Sequence, residues 1–74
     1  MEKYFTYTID GNDPTDDHII IEKKEKAIYE ISLEFEKHNI VLWTVYKEDD
    51  KYEYVKLCTV TKTPNGSHNW VWYM

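Results

Sequence analysis

Three stretches, "IVLWTVY" at 40–46, "YEYVKLCTV" at 52–60 and "NWVWYM" at 69–74, most constrain what this chain can fold into. Each is short, rich in β-branched and aromatic residues, and bounded by turn chemistry, "KEDDK" and "TPNGS". That is the pattern of consecutive antiparallel strands. In the second connection, proline, asparagine and glycine occupy the second to fourth positions of a type I turn. A further alternating run, "KYFTYTI" at 3–9, reads as a strand with Phe5, Tyr7 and Ile9 on one face.

Between these runs the period changes. In "KKEKAIYEISLEFEKHN" (23–39), Ala27, Ile28, Ile31 and Phe35 recur at helical spacing and His38 extends the stripe. Glu22, Lys26, Glu30 and Glu34 fall on the wet side, and Asn39 suits the end of the helix. Upstream, "DGNDPTDD" is a loop by composition. The next segment, "HIIIE", supports two readings. Stiff β-branched side chains favour a strand at Ile19–Ile21, whereas Asp13-Pro14 followed by acids is a helix start. A helix from 14 to 38 would be long beside the usual three turns, so the strand is preferred. The expected fold is a single small α+β domain spanning 1–74. One helix packs on one face of a mostly antiparallel sheet of four or five strands, in the order β-β-α-β-β-β, with β-α-β-β-β as the alternative.

Register follows from the loops. A three-residue loop, Glu48–Asp50, sets 46 opposite 52, 43 opposite 55 and 41 opposite 57. A second closure around Thr63–Gly66 sets 57 opposite 72 and 59 opposite 70. One face then collects Val41, Trp43, Val45, Val55, Leu57, Trp70, Trp72 and Met74, and is expected to meet the helix. The other collects Leu42, Thr44, Tyr46, Tyr52, Tyr54, Lys56, Cys58, Val71 and Tyr73. A slip of one residue in the first loop would set Trp43 opposite Lys56 and mix the two sets, so it is rejected.

Composition removes several classes of function. At 74 residues, burial and ordering nearly cancel, and the aromatics are needed to close a core, which leaves little for a dry polar cavity. The net charge is -5 and every basic residue is lysine. Without the bidentate fork of arginine or a positive stripe, direct nucleic-acid binding is not expected. A single cysteine, Cys58, excludes an internal disulfide and suits a reducing, cytoplasmic setting. The start "MEKYFTYTID" lacks the apolar run of a signal peptide, and no stretch approaches the length of a membrane span.

Chemistry-bearing constellations are equally sparse. In the register above, Cys58 and His68 have opposite side-chain parity, so no thiol–imidazole pair forms between them. His18, His38 and His68 have no metal-ligand spacing, and the calcium-like stretch "DGNDPTDDHIIIE" has proline at the fifth place, threonine at the sixth where such a loop needs glycine, and its glutamate one residue late. No cofactor or metal is expected, nor is an enzyme.

What remains is a surface. Tyr46, Tyr52, Tyr54 and Tyr73 give a sheet face too aromatic for ordinary surface. Asp13, Asp16, Asp17, Glu48, Asp49 and Asp50 give acidic margins. Tyrosine offers contact area at low entropy cost, and acidic margins steer a domain onto a basic protein. The expected function is therefore a small acidic protein-binding module, an inhibitor or antitoxin-like protein against a basic target such as a nucleic-acid enzyme. Phage and mobile-element inhibitors are often built this way, some as DNA mimics. The alternative is a homodimer that spends its tyrosine face on self-association.

Overall fold

The computed structural model describes residues 2–15, 17–34 and 39–73. Its elements are β1 (Glu2–Thr8), α1 (Lys24–Ser32), β2 (Ile40–Glu48), β3 (Lys51–Lys62) and β4 (His68–Trp72). The strands form one antiparallel sheet in the order β1-β2-β3-β4, so each pairs with its neighbour in sequence. The architecture is the four-stranded β-α-β-β-β form of the expected α+β fold.

The fifth strand, Ile19–Ile21, does not form. Only Ile21 meets the sheet, exchanging two backbone hydrogen bonds with Phe5 at 2.7 and 2.9 Å. That bridge buries Ile21 and covers part of the outer edge of β1, while Ile19 and Ile20 remain exposed. Propensity cannot hold them in a ladder because the chain just before them is drawn onto the other face of the sheet by His18, as described below. The link from β1 begins with a tight turn. Asp10 and Gly11 both take positive φ, 58° and 75°, and Asn12 N–H donates to the Ile9 carbonyl. Asp-Gly is a dipeptide that tolerates this conformation.

The helix is shorter than its apolar stripe, nine residues from Lys24 to Ser32. Ala27 and Ile31 are fully buried and pack with Ile21, Ile40, Leu42, Cys58 and Val60, with Ile28, Phe5, Tyr7 and Trp70 around them. Phe35 and His38 lie outside the described residues.

Both hairpin loops differ from expectation by one residue. The first loop has two residues, Asp49-Asp50, and Glu48 pairs Lys51. Asp49 takes φ 56°, the positive value that tight two-residue hairpins need at their first central position and that aspartate tolerates. Trp43 does stand opposite Lys56, the arrangement that strict alternation rejects. The two expected face sets are therefore recombined, and the sheet still keeps an apolar core face because the ladder shifts between Leu42 and Trp43: Leu42 pairs Cys58, leaving Leu57 as an extra residue on β3. In the second hairpin the Thr63–Gly66 turn forms, with Gly66 N–H donating to Thr63 at 3.0 Å and Gly66 at φ 90°. It closes a three-residue loop, since Thr63 N–H bonds the Ser67 carbonyl. The pairs are accordingly Cys58 with Trp72 and Val60 with Trp70.

These registers redistribute the faces. The helix side carries Phe5, Tyr7, Ile40, Leu42, Thr44, Tyr46, Val55, Cys58, Val60, Trp70 and Trp72. The opposite side carries Tyr4, Thr6, Val41, Trp43, Val45, Tyr52, Tyr54, Lys56, Val71 and Tyr73. Trp70 and Trp72 thus face the helix side as expected, but Val41, Trp43 and Val45 do not. On the opposite side Trp43 Nε1 donates to Thr8 Oγ1 at 2.8 Å and the Lys56 ammonium lies 5.7 Å from its ring centroid.

Replacing Ile31 with alanine should cost about 2–5 kcal/mol, as expected for truncating a fully buried isoleucine. Leu33→Ala, one turn-end away but half-exposed, should cost under about 0.5 kcal/mol. Urea titration of both variants checks which side of the helix meets the sheet.

Candidate interaction surface

The four tyrosines do not share one face. Tyr46 lies on the helix side, opposite Glu53, with the Lys3 ammonium 5.9 Å from its ring centroid. Tyr73 sits at the far end of the sheet, its hydroxyl 2.6 Å from Thr59 Oγ1. Tyr52 and Tyr54 are brought together on the opposite side, rings stacked with centroids 6.2 Å apart. The bulge separates Tyr54 from Cys58: both are even-numbered, yet they face opposite ways.

A residue without any periodic signal organises this patch. His18 stacks on Tyr4 at 5.5 Å and receives the edges of Tyr52 and Tyr54 at 5.1 and 5.4 Å. Its Nδ1 lies 2.7 Å from the Thr15 carbonyl oxygen, which can only accept, so the proton of the neutral ring is on Nδ1. Nε2 is then the acceptor for the Tyr4 hydroxyl at 2.9 Å. Tyr54 hydroxyl donates to the same Thr15 carbonyl at 3.4 Å. One imidazole therefore ties the acidic loop to β1 and β3. Tyr4 is buried, and burial first, then the neighbouring Tyr52 and Tyr54, pushes its phenol up to about 12.

The acidic residues divide into two groups around that patch. Asp13 and Asp17 are exposed on the loop that His18 anchors, while Asp16 lies outside the described residues. Glu48, Asp49 and Asp50 are exposed at the β2–β3 tip. Since Asp17 adjoins His18 and Tyr52 is two residues from Asp50, the His18–Tyr52 contact brings the two acidic segments to one side of the molecule. A shallow depression at the tip is lined by Tyr46, Glu48, Asp49, Lys51, Tyr52 and Glu53. Lys47 lies 5.8 Å from the Tyr52 ring centroid. Cation-over-ring contacts of this kind suit the electron-rich faces of these tyrosines.

Cys58 and His68 share a face after all, but four residue steps apart along the sheet, at roughly 13 Å. Burial raises the Cys58 thiol above its usual range, with a backbone hydrogen bond from Val71 opposing it. That disfavours the thiolate a nucleophile needs. Among the described residues no three His, Cys, Asp or Glu side chains converge as a metal site, and no helix is long and apolar enough to cross a membrane. No family model, curated protein or solved structure matches the chain.

The raised Tyr4 phenol has a thermodynamic consequence. Between pH 10 and about 12 the unfolded chain loses this proton while the folded chain keeps it, so stability falls as pH rises through that window. Tyr4→Phe should be less stable than the parent at neutral pH, by about 1–2 kcal/mol for the lost bond to His18. It should also lose less stability between pH 10 and 12. Denaturant melts across pH 8–12 measure both.

Proposed function

We propose that this chain is a non-catalytic protein-binding domain that docks on a basic protein surface. The observation that carries the reading is the His18 anchor, which holds one acidic segment against Tyr52 and Tyr54 beside a second acidic segment at Glu48–Asp50. An exposed acidic margin around half-buried tyrosines suits partner lysines and arginines: carboxylates accept their hydrogen bonds, and ring faces accept their charge. Lys3 over Tyr46 and Lys47 over Tyr52 are internal instances of the same chemistry.

The most specific form of the proposal is an inhibitor or antitoxin-like protein acting on a nucleic-acid enzyme in the cytoplasm, as phage-encoded inhibitors do. Spaced carboxylates would compete with phosphates for the enzyme's basic channel, a limited form of DNA mimicry. Association would be steered by charge and weakened by salt.

The test is affinity capture on the immobilised chain, run in parallel with Asp49→Asn/Asp50→Asn and with Tyr52→Ala, over rising salt. The proposal expects capture of a protein of basic pI, loss of most of it from both variants, and elution by salt before any unfolding. Capture that is indifferent to salt and to the paired asparagines would contradict it. Tyr52→Ala removes a half-buried ring that packs on His18 and Tyr54, so it should lower stability by about 1–3 kcal/mol, and circular dichroism of the variant at the capture temperature checks that it remains folded.

A further inference from the structure

We propose that β4 is a homodimer interface, at which a second copy of this chain adds its own β4 antiparallel and the two sheets become one. The inference rests on the backbone of β4 and is independent of the basic-partner reading.

β4 is the edge of the sheet, and no described strand pairs with its outer side. Which of its groups point outward follows from two hydrogen bonds. Thr63 N–H donates to Ser67 and Tyr73 N–H to Leu57, so these two pairs are hydrogen-bonded across the β3–β4 ladder. Hydrogen-bonded and non-bonded pairs alternate in an antiparallel ladder. Asn69 and Val71 therefore bond inward to Thr61 and Thr59, while His68, Trp70 and Trp72 present their N–H and C=O groups to the outside.

That outward set is self-complementary. A two-fold axis through Trp70 pairs Trp70 with its own copy and His68 with Trp72 of the second copy. All three residues then exchange both backbone hydrogen bonds, six in total across the junction. The same rotation leaves Asn69 opposite Val71 of the second copy on the face away from the helix. Trp70 and Trp72, already stacked with centroids 6.3 Å apart, would meet their symmetry mates on the helix face.

Charge selects a second copy as the occupant. Residues 68–73 contain no aspartate, glutamate or lysine, although the chain as a whole carries -5. Exposed strand edges are ordinarily blunted by lysine, proline or a bulge, and β4 has none of these. Val71, Trp72 and Tyr73 stay 44–55 % exposed there. The acidic tip is seven residue steps along β3 from Cys58, about 23 Å at ~3.3 Å per residue, beyond the screening length of ~8 Å in physiological salt. Two copies can therefore approach at β4 without bringing their acidic ends together.

The experiment is light scattering of the full chain from low to high micromolar concentration, with two double variants. Asn69→Asp/Val71→Asp puts like charges opposite each other across the proposed axis and leaves every backbone bond to β3 in place. Asn69→Cys/Val71→Cys puts two thiols at the ~4.5 Å Cα spacing of a non-bonded pair, within disulfide reach. The expected results are a parent mass rising from one chain to two, a single-chain mass for the acidic variant with an unchanged circular dichroism spectrum, and a covalent dimer of the cysteine variant on mild oxidation. A parent that stays at one chain at every concentration would overturn the proposal. So would a dimer that tolerates the paired acids and gives no cross-link.

Discussion

One extra residue on β3 decides how this small sheet is covered on both sides. Above Leu57 the strand's even positions, Tyr52, Tyr54 and Lys56, face away from the helix; below it the even positions, Cys58 and Val60, face the helix. Without the shift, either Cys58 and Val60 would leave the core or Tyr52 and Tyr54 would leave the His18 patch. The Leu57 carbonyl keeps a partner at the bulge, accepting from the Tyr73 N–H at 3.1 Å. A two-residue turn at Asp49-Asp50 is possible only because this shift restores parity further down the strand.

Much of the architecture was legible in residue patterns. Four strands, the helical stripe of Ala27, Ile28 and Ile31, the Pro64-Asn65-Gly66 turn and the helix-side placement of Trp70 and Trp72 all follow from local period and turn chemistry. Register was not legible, and the reason is physical. Strict alternation assumes an unbroken ladder, and with that assumption a two-residue first loop looks incoherent. A bulge has no composition signal of its own here, since Leu57 resembles any other strand residue. His18 was also beyond reach, because its role is set by rings from β1 and β3 that lie 14 to 36 residues away in sequence. Ile19–Ile21 shows the same limit: three β-formers in a row, of which tertiary contacts retain one.

The two halves of β3 divide the surface as well as the core. Toward the hairpin tip the outside is acidic and tyrosine-rich, with cations of the chain itself resting on the rings. Toward β4 the strand's own residues carry no acid and no lysine and are tryptophan-rich, with the Lys24 ammonium 5.9 Å from the Trp72 ring centroid, and the sheet ends in unpaired backbone among the described residues. A domain of this size has little interior to spare, so contact surfaces carry most of its capacity for specificity. The separation of the two surfaces along the strand lets one serve a basic partner while the other, without acids of its own, meets a different one.

The shift at Leu57 is the claim on which the faces, the His18 patch and the edge geometry all depend. Cross-strand nuclear Overhauser contacts between β2 and β3 test it directly. The structure predicts proximity of Leu42 to Cys58 and of Trp43 to Lys56, together with His18 ring contacts to Tyr52 and Tyr54. An unbroken ladder, with Trp43 beside Val55 and Val41 beside Leu57, would contradict it and would return Tyr54 and Cys58 to a single face.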